Sequence, residues 1–392
     1  MTRGRNSVCP GSARMAESTA SGTDSAWMAR ALRLARRGLY TTDPNPRVGC
    51  VVVRDGEVVG EGFHARVGEP HAEVAALGMA GEATAGATVY VTLEPCCHHG
   101  RTPPCTDALI DAGVARVVYA LRDPNPRVAG NGAGQLADAG IAVERLDSAG
   151  PDARALNIGF IKRMATGRPW IRIKLAMSLD GRTALASGES RWITGPEART
   201  DVHRWRARAS CILTGRGTVV ADDPSLTVRL PEEEAPTAAR APWIAIVDSG
   251  LKVSPQARLF ELHERVAIFT LSGDTEAAAA LRARGAEVVA LPGDRDGHGV
   301  DPAALFAELG RREVNEVHVE AGPTLCGRLL ETGYVDELIV YMAPQVLGDS
   351  ARGLFAMTPL ASMAERTRLH LREVRHVGSD LRINALPLID RE

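Results

Sequence analysis

The stretch ATVYVTLEPCCHHGRTPPCTDALIDAG, residues 87–113, holds a strand, a cluster of metal-binding side chains and a helix in succession. The β-branched and aromatic run TVYV suits a strand. The segment CTDALIDAG opens a helix after two prolines. Cys96, Cys97, His98, His99 and Cys105 therefore sit beyond the carboxyl end of a strand, where open α/β sheets place their sites. Tetrahedral zinc takes four donors, so these five candidates cannot all converge on one ion. Consecutive residues of an extended segment point opposite ways, so only one of Cys96 and Cys97 can face a metal. Spacing alone does not say which.

The same alternation extends outward. Before the cluster come helix AWMARALRLARRG (26–38), strands VGCVVV and EVVGEGF around the turn RDG, and helix HAEVAALGMA. After it come strand ARVVYAL, helix GAGQLADAG and strand IAVERL. Strands alternating with helices of this length predict an α/β layer architecture with a largely parallel sheet. A bridging helix around ALNIGFIKRMATG leads to Pro169, and a second alternation runs from WIRIKLAMS to ELIVYMAP. The expected division is a tail over 1–24, a first domain over 25–167 and a second over 168–392. RLPEEEAPTAARAP (229–242) is expected as a surface loop within the second. The hexapeptide DPNPRV occurs at 43–48 and 123–128 without flanking similarity. Both copies are expected as proline-braced loops on one rim of the sheet.

Bulk properties narrow the function. A chain of 392 residues exceeds what one core usually organises, in keeping with two domains. A net charge of −2 and a pI of about 6.6 leave no global basic field for nucleic acid. Seven cysteines, an odd number spread thinly, point to a reducing compartment rather than a disulfide framework. No apolar run has the length of a membrane span. The first two dozen residues are small and polar and lack a signal peptide's apolar core, so a disordered tail is expected, with Met15 an alternative start.

A hydrolytic zinc site needs three protein donors and one position open to water. Cys105, at a helix start, gains from the orphan N–H groups and dipole that favour a thiolate. PHAE (70–73) offers His71 at another helix start, with Glu73 two residues on. The bland alternative is a structural zinc with His98 or His99 as fourth ligand.

H-x-E followed by P-C and a further cysteine resembles the zinc-dependent cytidine and nucleobase deaminase superfamily, although the second cysteine here follows nine residues after the first instead of three. The longer form TLEPCCHHGRTPPC, with PNPRVGCVVV and GEPHAEVAAL, resembles the deaminase half of the bifunctional riboflavin-biosynthesis deaminase–reductases. That resemblance implies a cytidine-deaminase-like three-layer α/β/α domain with one zinc ion. It implies His71, Cys96 and Cys105 as ligands, because the family places its ligand directly after the proline. Cys97 departs from the serine common at its position. Glu73 becomes the proton shuttle between water, ring nitrogen and departing amine. Asn45, His64, His98 and Arg101 are implied to position the pyrimidine and its phosphate.

GNGAG (130–134) fails as a dinucleotide fingerprint, lacking the G-x-x-G closure and a suitably placed acid. Better signals are KLAMSLDGRTA, SGESRWITG, TGRGTVVADDPSLTVR and VEAGPTLCGRLL. The last puts Gly322, Pro323 and Thr324 between a strand and a helix, an end suited to a phosphate or to simple capping. Together they resemble the reductase half of the same family, which implies a dihydrofolate-reductase-like α/β fold and NADPH. By that resemblance Ala176, Trp192, Thr218, Asp222, Ser249, Gly322, Pro323 and Thr324 meet the dinucleotide. Ser190, Arg206, Leu226, Arg229 and Glu320 meet substrate, the arginines suiting a phosphate monoester. Asp180 and Arg182 are expected to fix a tight turn.

The expected function is two consecutive steps of riboflavin biosynthesis on a phosphorylated pyrimidine, deamination and then reduction of the ribosyl side chain. A cytoplasmic homo-oligomer, dimer or tetramer, without nucleic acid or membrane partner, is the expected setting. One rival is a tRNA or nucleobase deaminase with a passive second domain. The 4% aromatic content offers few stacking platforms for RNA. The other rival is a zinc-stabilised binding module.

Overall fold

The computed structural model describes residues 13–98, 103–125, 128–236, 239–297 and 299–388, with side chains from residue 23 onward. The chain forms two compact units, Met1–Ile161 and Lys162–Glu392. The first contains α1 (Ala13–Arg36), β1 (Gly49–Arg54), β2 (Glu57–Phe63), α2 (Ala72–Ala80), β3 (Thr88–Val91), α3 (Cys105–Asp111), β4 (Arg116–Tyr119), α4 (Asn131–Asp138), β5 (Ala142–Arg145) and α5 (Gly150–Leu156). The division falls inside α6 (Ile158–Thr166), ahead of the residue 168 expected from Pro169. Beyond the division, Arg163 Nε donates to Asn315 Oδ1 at 2.7 Å, which ties the end of that helix to the second unit.

The first sheet has the order β2-β1-β3-β4-β5. β3, β4 and β5 are parallel, whereas β1 opposes both its neighbours. The reversal is a hairpin: Asp55 and Gly56 take positive φ (52° and 81°), the pairing that lets a two-residue turn match strand twist. β1 is buried on both faces. Val51 and Val53 meet α1 and α5 through Met28, Ala31, Leu32 and Ala153. α2, α3 and α4 pack along the other face, completing three layers. A Cβ on Gly62 would stand 2.4 Å from the Ala72 carbonyl oxygen, and one on Gly60 2.2 Å from that of Ala76. Only glycine lets α2 lie this close on β2.

Two expectations change here. α1 starts at Ala13, within the stretch expected as a tail, and residues 1–12 lie outside the described residues. Asp24 is buried and accepts bonds from Tyr90 Oη at 2.6 Å and from both terminal nitrogens of Arg116. These distant partners anchor α1 at Asp24. The bridging helix is two helices, α5 and α6, broken at Asn157. Its buried amide bonds the main-chain N–H and C=O of Arg47, bracing the first DPNPRV copy.

The second unit continues with β6 (Trp170–Ser178), β7 (Arg182–Ala184), α7 (Pro196–Arg208), β8 (Cys211–Gly215), α8 (Arg216–Asp222), β9 (Trp243–Val247), α9 (Leu259–Leu262), β10 (Val266–Thr270), α10 (Glu276–Ala283), β11 (Glu287–Ala290), α11 (Pro302–Arg311), β12 (Glu316–Val319), α12 (Pro323–Glu331), β13 (Glu337–Ala343), β14 (Arg352–Gly353), β15 (Leu369–Val377) and β16 (Asp380–Pro387). Its main sheet runs β11-β10-β9-β8-β12-β6-β13-β16-β15, and only β16 opposes the rest. Alternate side chains fill the two faces. Ile171, Leu213, Val317 and Val319 pack against Phe306 and Leu329, while Ile212, Ile244 and Ile268 pack against Leu259 and Leu281. Within 229–242 the described residues, 229–236 and 239–242, form no strand or α-helix and hold one short 3-10 turn at Glu232–Glu234, with Arg204 bonding Glu234.

Candidate metal centre and candidate cofactor cleft

The rim where β3 and β4 end also holds the start of β1, because β1 runs against β3. The first DPNPRV copy and the described start of the second, residues 123–125, lie on that rim. His71 caps the start of α2, and Cys105 is the first residue of α3. Cys96 lies in the loop after β3. The three elements bring His71 Nδ1 to 3.2 Å from Cys105 Sγ and 3.6 Å from Cys96 Sγ. All three donor atoms lie within 4.8 Å of one another. One imidazole nitrogen and two sulfurs at this mutual separation fit the donor set and spacing that zinc takes. The main-chain N–H of Cys105 points at Cys96 Sγ at 3.4 Å. The Cys105 thiol, then His71 and the Cys105 N–H, hold the Cys96 sulfur below the ordinary thiol range against its burial, while Cys105 itself is raised by the Cys96 sulfur and by burial.

Glu73, the second residue of α2, is buried against this cluster. Burial, reinforced by the Cys96 sulfur, pushes its carboxyl up to about 7. A carboxyl poised there can take and return a proton near neutral pH. Cys97 is half-buried, and burial raises its thiol. It does not belong to the converging set.

The implied substrate residues divide. Asn45 Nδ2 donates to His64 Nε2 at 3.0 Å, and His64 Nδ1 donates to the Pro70 carbonyl at 3.1 Å. His64 is 3% exposed with both ring nitrogens engaged, so its visible work is to orient the Asn45 amide. His98 is half-buried, and its Nδ1 finds no hydrogen-bond partner among the described residues. Arg101 lies outside the described residues, as does His99.

In the second unit a cleft of about 1600 Å³ opens across the ends of β6, β8, β9 and β12. Ala176, Trp192, Thr218, Asp222, Ser249 and the Gly322–Thr324 turn all line it. Ser190, Arg206, Leu226, Arg229 and Glu320 line it too. Gly322 caps α12, whose first turn begins at Pro323. The Trp192 ring is largely exposed, with the Arg199 guanidinium 4.6 Å from its centre. Ser249 Oγ accepts from the Val300 N–H at 3.2 Å.

Two positions differ from the simple picture. Arg206 grips both Glu320 oxygens, one at 2.9 Å, and also donates to the Thr227 carbonyl at 2.9 Å. Its charge is committed to Glu320, and Arg229 is the more exposed cation of the two. Leu226 lines the cleft but is buried, packed among Ile212, Ile244 and Ile246. Asp180 accepts from Ser178 Oγ and from the N–H groups of Leu347 and Gly348, which fixes the turn as expected.

Sequence reasoning missed two side chains. Lys174 lines the cleft, and burial lowers its ammonium. It lies two residues before Ala176 on β6, and the period of a strand could have found it. Glu94, inside the opening stretch, is buried beside the metal cluster.

An α/β layer carrying a zinc-type donor set beside a buried carboxyl has the makings of a hydrolytic metal site. Residues 21–121 match the family model described as cytidine and deoxycytidylate deaminase zinc-binding region, and residues 169–383 that of the RibD C-terminal domain. The chain is 51% identical over 365 residues to the riboflavin biosynthesis protein RibD of Escherichia coli K12, covering 91% of this chain and 98% of that one. The solved structure of Acinetobacter baumannii RibD, form 2, superposes with TM-score 0.87 at 42% identity, covering 94% of this chain and all of that one. A Thermotoga maritima structure described as a diaminohydroxyphosphoribosylaminopyrimidine deaminase/5-amino-6-(5-phosphoribosylamino)uracil reductase gives TM-score 0.82 at 33% identity, with coverage of 94% and 100%. The chain belongs to the RibD family of bifunctional riboflavin-biosynthesis deaminase–reductases. The fold is accordingly α/β, cytidine-deaminase-like in the first unit and dihydrofolate-reductase-like in the second. The matches run through both units, so the readings with a passive second domain or a mere binding module are not favoured. Among the described residues no helix is long and apolar enough to cross a membrane.

Proposed function

We propose that the first unit deaminates 2,5-diamino-6-ribosylamino-4(3H)-pyrimidinone 5′-phosphate and that the second reduces the ribosyl chain of the product to ribityl. The observation that carries the deaminase reading is the convergence of His71, Cys96 and Cys105 beside buried Glu73. These three residues would hold one zinc ion per chain. Zinc bound there supplies Lewis acidity, bringing the pKa of a water to roughly 7. Glu73 would accept one proton of the attacking water and give it to the ring nitrogen, then carry the second from the new hydroxyl to the amino group, so the carbon–nitrogen bond breaks, ammonia leaves and a carbonyl remains. Asn45, held by His64, would orient the pyrimidine, with His98 and Arg101 as further substrate residues.

In the cleft, Ala176, Trp192, Thr218, Asp222, Ser249 and the Gly322–Thr324 turn would hold NADPH, and Ser190, Arg206, Leu226, Arg229 and Glu320 the pyrimidine phosphate. NADPH supplies the hydride when bound; alignment and exclusion of water fall to the protein. Arg206 positions Glu320, while Arg229 is exposed for the phosphate. A homo-oligomeric state and a cytoplasmic setting complete the proposal. Incubating the full chain with the phosphorylated diaminopyrimidinone tests it. Ammonia release without NADPH, followed by NADPH oxidation when it is added, is expected. Ammonia release with no subsequent NADPH oxidation would remove the reductase half.

A further inference from the structure

Two motifs without a role in the chemistry above meet at one side chain. GNGAG opens α4, and the second DPNPRV copy leads up to it. From these two segments the N–H of Asp123 and of Gly130 donate to Glu94 Oε2 at 3.2 and 3.1 Å. The N–H of Ala133, in the first turn of α4, donates to Glu94 Oε1 at 3.1 Å. The helix start that looks ready for an external phosphate is thus occupied by the protein's own carboxylate.

Glu94 is 2% exposed and stands two residues before Cys96, with Pro95 between them limiting backbone freedom. The other side of that link is clamped as well. Gly132 lies so close that a Cβ there would be 2.0 Å from the Pro95 carbonyl oxygen. The Cys96 main-chain carbonyl, in turn, accepts from the Thr106 N–H at 3.2 Å.

We propose that Glu94 is a positioning residue for the metal centre, setting where Cys96 Sγ stands relative to His71 and Cys105. This inference rests on Cys96 being a zinc ligand. Charge-assisted bonds to three main-chain donors are stronger than neutral ones. A glutamine keeps the shape but turns an amide NH₂ toward N–H groups that need an acceptor.

The test measures zinc release to a chromogenic chelator from the full, zinc-replete chain, well below its unfolding temperature. Outer partners of metal ligands typically contribute about 10–100-fold in affinity. Glu94→Gln is therefore expected to release zinc at least about tenfold faster than the unsubstituted chain. Gly132→Ala, whose methyl would stand 2.0 Å from the Pro95 carbonyl oxygen and 3.5 Å from Glu94 Oε1 while leaving the carboxylate's charge in place, should change release in the same direction. Cobalt-substituted Glu94→Gln should show altered ligand-field absorption. Asp24→Asn is the control: it removes the charge and the Oδ2 acceptor that Arg116 uses in the same unit and should lower stability while leaving zinc release unchanged. Release from Glu94→Gln and Gly132→Ala at the unsubstituted rate overturns the inference, as does equally fast release from Asp24→Asn. If zinc-replete unsubstituted protein cannot be obtained, the ligand assignment itself fails; retained zinc with insensitive variants refutes the positioning role alone.

Discussion

Adjacent thiols at 96 and 97 give the metal centre its sharpest residue-scale test. Cys96 Sγ faces His71 and the Cys105 N–H, whereas Cys97 stands outside the converging set. Cys96→Ser should lose most bound zinc, and Cys97→Ser should keep it, measured as metal per chain after dialysis. The reverse pattern would exchange their roles. Chemistry-bearing residue types at fixed spacing made His71, Glu73 and Cys105 legible in the chain. The choice between neighbouring cysteines was not, because alternation separates two side chains without saying which faces inward. Arg206 shows another limit: a sequence displays a cation but not the Glu320 carboxylate that neutralises it across the fold.

At the scale of elements, the site depends on how close α2 lies to β2. Gly62→Ala would place a methyl 2.4 Å from the Ala72 carbonyl oxygen, so helix or strand must move. Overpacking of this kind costs about 1–3 kcal/mol. Chemical denaturation should show that loss, and zinc affinity should fall with it because His71 begins α2. An unchanged midpoint would mean that the close approach is unimportant. The strands of the first unit were legible from continuous apolar runs such as VGCVVV. β15 and β16 were not. Every residue of β15 but its last is exposed, and its apolar residues Leu369, Leu371, Val374 and Val377 do not keep the two-residue period of a strand. Its pairing with β16 is a long-range fact that a local pattern does not contain. The buried Asp24, likewise, owes its order to partners many residues away.

For the whole molecule, each unit carries its own sensitivities. His203 in the second unit is pushed down to about 4, by burial first and then by the charges of Arg206 and Arg229. Glu320 acts against that shift. Below its ordinary 6.5 the unfolded chain takes up a proton that the folded chain refuses until about 4. This group therefore makes the second unit less stable as pH falls through that window. Denaturation midpoints at pH 7 and pH 5 should differ more for the unsubstituted chain than for His203→Gln. Equal differences would show that the imidazole is not held neutral.

The central claim is that Glu73 moves protons at a metal centre held by other residues. Its most direct measurement is ammonia release by zinc-replete Glu73→Gln on the phosphorylated diaminopyrimidinone. General acid–base groups contribute about 10²–10⁴-fold, so release should fall by at least about a hundredfold while zinc content stays at the unsubstituted level. Release at the unsubstituted rate from the same zinc-loaded variant would contradict the account.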